Sequence, residues 1–379
     1  LIAPLMSGLI VLGTVLLAAG TLAEPVMAWG GGPIAWLLHV TVEAVRWCHG
    51  VPFGSWVVGR PSPVVMAGYY GLASVTLLRM RLGWSRAAVL GGWVIALAAW
   101  AGAGVGLRVM ESRWLRVDVL DVGHGDSILL RGAPGHAILI DAGSEDAGQF
   151  QVVPHLRSLG IASLGALVLT HPDADHIGGA AALLRSVRVG RLLTNGARDD
   201  TMSARRVREL AAARRIPDVV VARGIRLEAG PGVVLEVLHP PPGLVPGSVP
   251  ESNDNSIVLR AAKGSVGILL TGDIEEEGLP WLLGHGAEGL RAAALKVPHH
   301  GSRLGEAGER LFDAVAPRLA ILSVGRAHRL PAPETVEALR RRGIVVYSTG
   351  RDGAVSLRTD GTRLQVRTFR GQQEWTEVR

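Results

Sequence analysis

Leu169-Thr-His-Pro-Asp-Ala-Asp-His-Ile-Gly-Gly179 is the stretch on which the reading of this chain turns. It follows an apolar run, 166–169, with the character of a strand, and precedes a helical pattern at 177–186. Four potential metal ligands, His171, Asp173, Asp175 and His176, fall within six residues. A tight turn between strand and helix can point alternate side chains to two neighbouring places, which supplies half the shell of a two-cation centre. The competing reading is a solvated polar loop, and the Thr-His-x-Asp-x-Asp-His-x-Gly-Gly spacing after a strand argues against it.

Two later segments have the same design. Ile268-Leu-Leu-Thr-Gly-Asp273 is an apolar strand ending in a carboxylate, and Leu295-Lys-Val-Pro-His-His-Gly-Ser302 is a strand ending in His299 and His300. All three place ligands at strand C-terminal ends, where sheet-based active sites form. Lys296 and Arg303 flank the histidine pair; each is read either as a grip on a neighbouring phosphate or as a solvated surface charge.

Around these motifs, residues 108–379 carry 34 basic and 31 acidic residues, an ordinary balance for a soluble domain. Strand patterns recur at 116–122, 127–130, 137–140, 166–169, 191–193, 219–221, 233–238, 256–261, 266–270, 293–297, 319–324, 344–348, 354–358 and 364–368. Helical patterns lie at 149–159, 177–186, 203–215, 275–285, 304–315 and 333–342. Many short strands with helices between them imply stacked sheets covered by helices. Five arginines within 203–215 read first as a solvated helix face and second as a path for a phosphate backbone.

Residues 1–107 differ in kind. They hold seven of the ten tryptophans and only seven charged residues. The stretches 1–23, 63–78 and 87–107 contain no charge. A spanning helix needs roughly 20 apolar residues, so these runs read as membrane spans, with Trp56, Trp84 and Trp100 near their ends. Between the first two, 34–47 reads as an amphipathic helix on a membrane surface or against other spans. The arginine-rich loop 79–86 is expected in the cytoplasm, which puts everything after Arg108 on the outer face. The expected division is therefore 1–107, membrane part, and 108–379, hydrolase part. The chain starts at Leu1 inside an apolar run, and is read as a fragment of something longer.

Whole-chain composition narrows the choices. With 48% hydrophobic and 19% charged residues over 379, a disordered, coiled-coil or fibrous chain is excluded. A single cysteine, Cys48, excludes a disulfide scaffold or a cysteine-rich zinc module. The basic charge comprises 37 arginines and two lysines, for a net +6, which suits a phosphate-bearing partner or a membrane protein.

Taken in order, Asp121-Val-Gly-His-Gly-Asp126, Ile140-Asp-Ala-Gly143, the His171–His176 motif, Asn253-Asp-Asn-Ser256, Thr271-Gly-Asp273 and His299-His-Gly-Ser302 resemble the metallo-β-lactamase-fold domain of the ComEC family, the bacterial competence DNA-uptake channel. The resemblance covers about residues 115–350, and 61–78, with Tyr69 and Tyr70, is similar to a proline-rich span of that family's membrane domain. It implies an αββα metallo-β-lactamase-like sandwich preceded by transmembrane helices. It also implies two divalent ions, manganese or zinc with magnesium possible. His171 and Asp173 would hold one, Asp175 and His176 the other, Asp273 would bridge them, and a histidine of the 299/300 pair, His299 favoured, would complete a shell. Asp141 would orient a ligand histidine. Asp121, Asp126, Asn253, Asn255 and Ser256 would lie beside the ligands, with Asn253 or Asn255 a weak ligand at most, and Asp175, Asp273 and Lys296 would serve the chemistry. His124 stands where glutamine is expected and reads as a loop residue rather than a ligand.

The function implied is hydrolysis of DNA phosphodiesters at a multi-pass bacterial membrane, one strand being degraded on the extracytoplasmic face while the other enters. DNA (single-stranded or incoming duplex), membrane lipid and other competence-machinery proteins would be the partners. Two alternatives are a membrane-tethered hydrolase of another phosphoester and a non-catalytic channel or DNA-binding domain. The second draws on Ser323–Pro333, where the family's Gly-His is missing and His328 sits near the expected asparagine.

Overall fold

From residue 115 onward, strands alternate inward aliphatic with outward polar side chains, the period-two signature of a half-buried strand. The computed structural model describes residues 13–14, 24–50, 59–61, 63–83, 85–133, 135–197, 199–249, 253–275, 277–286, 289–326, 329–371 and 373–378. In it, Leu115, Val117 and Val119 point to one side of their strand, as do Val233, Leu235 and Val237 of another, and the two rows share one buried core. That core is the seam between two sheets.

The first sheet runs, edge to edge, through Thr376–Glu377, Leu364–Thr368, Val355–Thr359, Leu115–Val119, Ile128–Ala133, His136–Ile140, Ala166–Leu169, Leu192–Thr194 and Asp218–Val220. The second runs through Val345–Ser348, Leu319–Leu322, Ala294–Lys296, Val266–Leu270, Val258–Lys263, Val233–His239 and Arg226–Glu228. Helices Val153–Ser158, Ala180–Ser186 and Met202–Ala213 cover the outer face of the first sheet through a second apolar cluster. Helices Gly278–Gly286, Gly305–Val315 and Pro333–Arg341 cover the second sheet through a third. The layers are α, β, β, α, the expected sandwich. Each fully buried leucine or isoleucine in these layers contributes about 1.5–3 kcal/mol of transfer free energy.

All fourteen expected strands are present, with ends shifted by up to three residues. The sequence pattern missed Ser163–Leu164, Arg188–Val189, Arg226–Glu228 and Thr376–Glu377, which are too short to show a period. The arginine-rich helix Met202–Ala213 buries Ala204, Val207 and Ala211 and leaves Arg205, Arg206 and Arg208 in solvent, the solvated-face reading.

The chain divides into two compact units, Leu1–Val57 and Val58–Arg379. The first unit contains α1, Glu24–Gly50, which runs straight through Pro33. Its sheltered side carries Ile34, Leu37, Thr41 and Ala44, while Trp36, Val40 and Trp47 are exposed. In the second unit α2, Pro63–Leu82, and α3, Arg86–Glu111, occupy the second and third uncharged runs and pack on one another. Trp93 donates its indole N–H to Thr76 Oγ1 at 3.0 Å, and its ring meets Tyr69 edge-on. The contact of Arg60 N with Ser158 O at 2.7 Å ties the start of this unit to the sandwich.

Among the described residues no helix is long and apolar enough to cross a membrane. Residues 1–12 and 15–23, Trp56, Trp84, His328 and the side chains of 103–111 lie outside them. Val64, Leu77, Leu90, Val94, Ile95 and Leu97 are exposed along α2 and α3.

Candidate metal centre

The Leu169–Gly179 stretch turns sharply because its backbone is tied to the neighbouring loop. Ala142 N donates to His176 O at 2.8 Å, and Gly179 N to Gly143 O at 2.9 Å. A Cβ at Gly179 would run into Ala142 O, so only glycine permits this approach. Across the site Gly125, at φ +104°, brings its loop against the Asp175 carbonyl at a place no side chain could occupy. The Ser323 hydroxyl donates to Gly125 O at 2.8 Å, so the altered Ser323–Pro333 segment still braces this loop.

Asp141 organises the histidines. It is wholly buried, with φ +57°, a left-handed conformation that aspartate tolerates better than most residues. Its carboxylate accepts from Thr170 N at 2.9 Å, Thr170 Oγ1 at 2.7 Å and His176 Nδ1 at 2.8 Å. With the Thr170 proton committed to Asp141, Thr170 Oγ1 is left to accept from His171 Nδ1, 3.0 Å away. Both imidazoles are thereby fixed as Nδ1–H tautomers, and both turn Nε2 lone pairs inward.

What they face is a knot of oxygen and nitrogen donors. His176 Nε2 lies 3.3 Å from Asp273 Oδ2, 3.4 Å from His300 Nε2 and 3.8 Å from Asp175 Oδ2. His300 Nε2 lies 3.0 Å from Asp273 Oδ2 and 3.6 Å from Asp175 Oδ2. His124 Nε2 is 3.5 Å from Asp175 Oδ2. The donors form four overlapping groups, each with its ligand atoms within 4.8 Å of one another: His171–His176–Asp273 and His124–Asp175–His300, which share no residue, and Asp126 with either Asp141 and His176 or Asp273 and His300. His171 Nε2, Asp126 Oδ1 and His300 Nδ1 are buried without a hydrogen-bond partner among the described residues. Buried polar atoms left open beside convergent imidazoles and carboxylates fit divalent cations.

This grouping differs from the expected one. His176 gathers with His171 and Asp273, and Asp175 with His300 and His124, while Asp175 Oδ2 and His176 Nε2 themselves lie 3.8 Å apart. Asp173 is half-exposed, with an oxygen 3.6 Å from His171 Nε2. Asp173, Asp175 and His124 form the open side, and His171, His176, His300 and Asp273 the buried floor.

Other expected site residues lie elsewhere or play other parts. His299, favoured over its neighbour, turns away to Glu275, with Nδ1 2.5 Å from Oε2. The two histidines diverge because both adopt left-handed backbone, φ 43° and 54°. Lys296 is neither on the surface nor able to meet a phosphate, since its ammonium is fully buried 2.5 Å from Asp126 Oδ2, 3.2 Å from Asp273 Oδ1 and 2.9 Å from Gly272 O. Arg303 is a surface charge paired with Glu334. Asp121 pairs with Arg370 at 2.9 Å, outside the cluster. Asn255 faces the proline-rich loop, accepting from Val245 N and donating to Val249 O, and Asn253 donates to Glu275. Ser256 Oγ accepts from Asp273 N at 3.2 Å and helps aim that carboxylate. Sequence reasoning assigned no role to Thr170 or Glu275 and discounted His124; the hydroxyl beside His171 at a strand end was the one signal for Thr170.

Charges reinforce one another in this cluster. Burial opposes ionisation of Asp273, but His176, Lys296 and His300 outweigh it and hold its carboxyl well below the usual range. Burial likewise opposes the Asp175 carboxylate, and the His300 hydrogen bond with the nearby imidazoles overrides it, so its pKa is lowered. Burial disfavours imidazolium at His300, yet Asp273 and Asp175 push that group up to about 9. Lys296 is raised because Asp126 and Asp273 outweigh its burial.

The sandwich and this ligand cluster at the strand ends define a metal-dependent hydrolase fold, and residues 120–325 match the metallo-beta-lactamase superfamily. The chain belongs to that superfamily. Among curated proteins it is similar to ComE operon protein 3 of Bacillus subtilis (strain 168), 32% identical over 264 residues, 64% of this chain and 33% of that one. It is also similar to Competence protein ComA of Neisseria gonorrhoeae, 31% identical over 243 residues, 64% of this chain and 32% of that one. The chain therefore spans about a third of the length of these relatives, and the resemblance to the ComEC family carried by the motifs holds. A solved structure, the metallo hydrolase Igni18 from Ignicoccus hospitalis, is 13% identical, covering 64% of this chain and 98% of that one with a TM-score of 0.42.

Proposed function

We propose that this chain is the metal-dependent nuclease part of a membrane-bound DNA-uptake protein, hydrolysing DNA phosphodiesters at the extracytoplasmic face of a bacterial membrane. The observation that carries the hydrolase reading is the Asp141–Thr170 relay, which aims two imidazole lone pairs into one pocket with Asp273. His171, His176 and Asp273 would hold one divalent ion, and Asp175, His300 and His124 a second, with Asp273 3.0 Å from His300 and placed between the two sets. When bound, such a pair supplies an acidified water and neutralises the charge of an attacked phosphate.

The chain's residues do the rest. Asp141 fixes the tautomers, Lys296 balances the buried Asp126 and Asp273, and Asp173, Asp175 and His124 leave an open side for a phosphate to approach. Asp173, with an oxygen 3.6 Å from His171 Nε2, would add a second carboxylate beside the His171–His176–Asp273 set, making it harder and favouring manganese or magnesium relative to zinc. The competence relatives support DNA as substrate and competence-machinery proteins as partners; the uncharged stretches and the exposed apolar side chains of α2 and α3 support the membrane.

The test is to purify the full chain in detergent and offer single-stranded DNA with Mn²⁺. Cleavage that chelator and Asp175→Ala both abolish supports the reading. Metal binding without cleavage, or cleavage of small phosphodiesters alone, overturns it.

A further inference from the structure

The outer face of the first sheet is covered by helices over only part of its width. Helices pack on the side of Leu129, Leu139 and Leu167. Toward the other edge, the strands Leu115–Val119, Val355–Thr359 and Leu364–Thr368 turn polar side chains outward. Arg116 lies opposite Arg358 in the ladder, Arg358 opposite Gln365, and Ser356 opposite Arg367. Residues directly opposite share a face, so these guanidiniums crowd together.

Two indoles frame them. The Arg358 guanidinium stands 4.6 Å from the ring centre of Trp114 and 4.2 Å from that of Trp375, and Arg367 lies 4.7 Å over Trp375. Gln365 Oε1 accepts from Arg358 Nε at 2.7 Å. Asp118, in register with Ser356 and Arg367, pairs with Arg131 at 2.7 Å. Glu377 stands at the sheet edge opposite Gln365. Among the described residues no carboxylate comes within ion-pairing distance of Arg358 or Arg367. Burial, then the like charges of Arg116 and Arg367, lower the pKa of Arg358. Two adjacent guanidiniums, Arg358 and Arg367, stacked on indoles and not paired with an acid, suit an anionic partner.

Position says which anion. Trp114 is three residues beyond Glu111, where α3 ends, and it feeds straight into the strand Leu115–Val119. The ligand cluster gathers beyond the other end of that strand, at Asp126 and the loops packed on it. A strand of this length spans about 17 Å; Arg116 and Arg358 lie near its end remote from the candidate metal centre, and Arg367, in register with Asp118, lies two residues further along. Arginines interleaved with tryptophan beside an apolar helix are what a headgroup layer accommodates, the indoles at the interface and the guanidiniums on the phosphates.

We propose that the Trp114–Arg358–Trp375–Arg367 face docks on anionic phospholipid headgroups, holding the sandwich with its candidate metal centre directed away from the bilayer. This rests on the membrane reading above. The full chain is reconstituted into vesicles of phosphatidylglycerol or of phosphatidylcholine, each with bromine on the acyl chains just below the headgroups, which quenches nearby indoles. Flotation reports association with the vesicles, and quenching missing in Trp375→Phe reports docking.

The expected result is Trp375 quenching in phosphatidylglycerol only. It should be lost in 1 M salt, where screening acts within about 3 Å, and be weaker by about fivefold per arginine removed in Arg358→Gln and Arg367→Gln. Far-UV circular dichroism checks that each variant remains folded, and the arginine variants test the face should Trp375→Phe disturb the edge strand. Flotation without Trp375 quenching overturns the docking and leaves the membrane reading intact. A chain that floats with neither lipid overturns both. Trp375 quenched equally in both lipids, or shielded by single-stranded DNA with no lipid present, overturns docking through headgroup charge.

Discussion

His176 donates its Nδ1–H to Asp141 Oδ2 across 2.8 Å, and both side chains are wholly buried. The same carboxylate reaches His171 through the Thr170 hydroxyl, so one buried anion aims two imidazoles. Asp141→Asn keeps the volume but offers one acceptor oxygen where three donors converge. Orienting partners of this kind are worth about 10–100-fold in metal affinity. Titration calorimetry with Mn²⁺ should show a loss in that range with the fold intact by circular dichroism. Affinity within twofold of the parent would show that Asp141 does not orient the ligand histidines.

Lys296 lies between Asp126 and Asp273 with no exposure to solvent. Removing one partner of a buried ionic group strands the others, at a cost of about 3–5 kcal/mol. Lys296→Met should therefore lower urea-unfolding stability by about that amount when chelator is present. Divalent cation should return part of the loss, because it binds the same carboxylates in the folded state only. An unchanged unfolding midpoint would show that the ammonium does not balance these acids.

The fold was legible because its elements obey simple periods: the apolar runs ending at Leu169 and Leu270 are strands of that same extent, and each leads directly into a ligand loop. The ligand residues could be read for the same reason, since His171, Asp175, His176 and Asp273 sit at strand ends. Which histidine of the 299/300 pair faces inward could not, because it depends on two successive left-handed residues that no linear pattern reveals. Lys296 misled for a similar reason. Nothing in a linear motif shows that Asp126, 170 residues earlier, comes to rest on its ammonium.

The two adjacent histidines should separate cleanly in function. His300 lies 3.0 Å from Asp273 with no exposure, whereas His299 pairs with Glu275 in a half-open setting. A partly exposed ion pair contributes about 0–1 kcal/mol. His299→Ala should cost no more than that and leave Mn²⁺ affinity within a few-fold. His300→Ala should weaken affinity by more than the roughly 100-fold limit of an orienting residue. Calorimetry on both variants decides the matter, and the reverse order would show that the 298–301 turn presents His299 instead.

Acid sensitivity should arise away from the candidate metal centre, at His239. This side chain is buried at the end of its strand, donates Nδ1–H to Ser256 O at 3.0 Å and meets the Trp281 ring edge-on. Burial pushes the imidazole down to about 4 from 6.5, the Ser256 hydrogen bond opposing only in part. The folded-state value lies below the unfolded one, so the neutral form is favoured by folding. Its contribution is full above pH 6.5 and is lost as the pH falls through about 4, a gap worth about 3 kcal/mol. His239→Phe leaves the Ser256 carbonyl short of a donor and should be less stable at pH 7 by about 1–3 kcal/mol. It should also show a flatter loss of stability between pH 6.5 and pH 4.5 than the parent, measured by urea unfolding with chelator present so that metal release adds nothing. Equal slopes in the two proteins would mean that other groups carry the acid sensitivity.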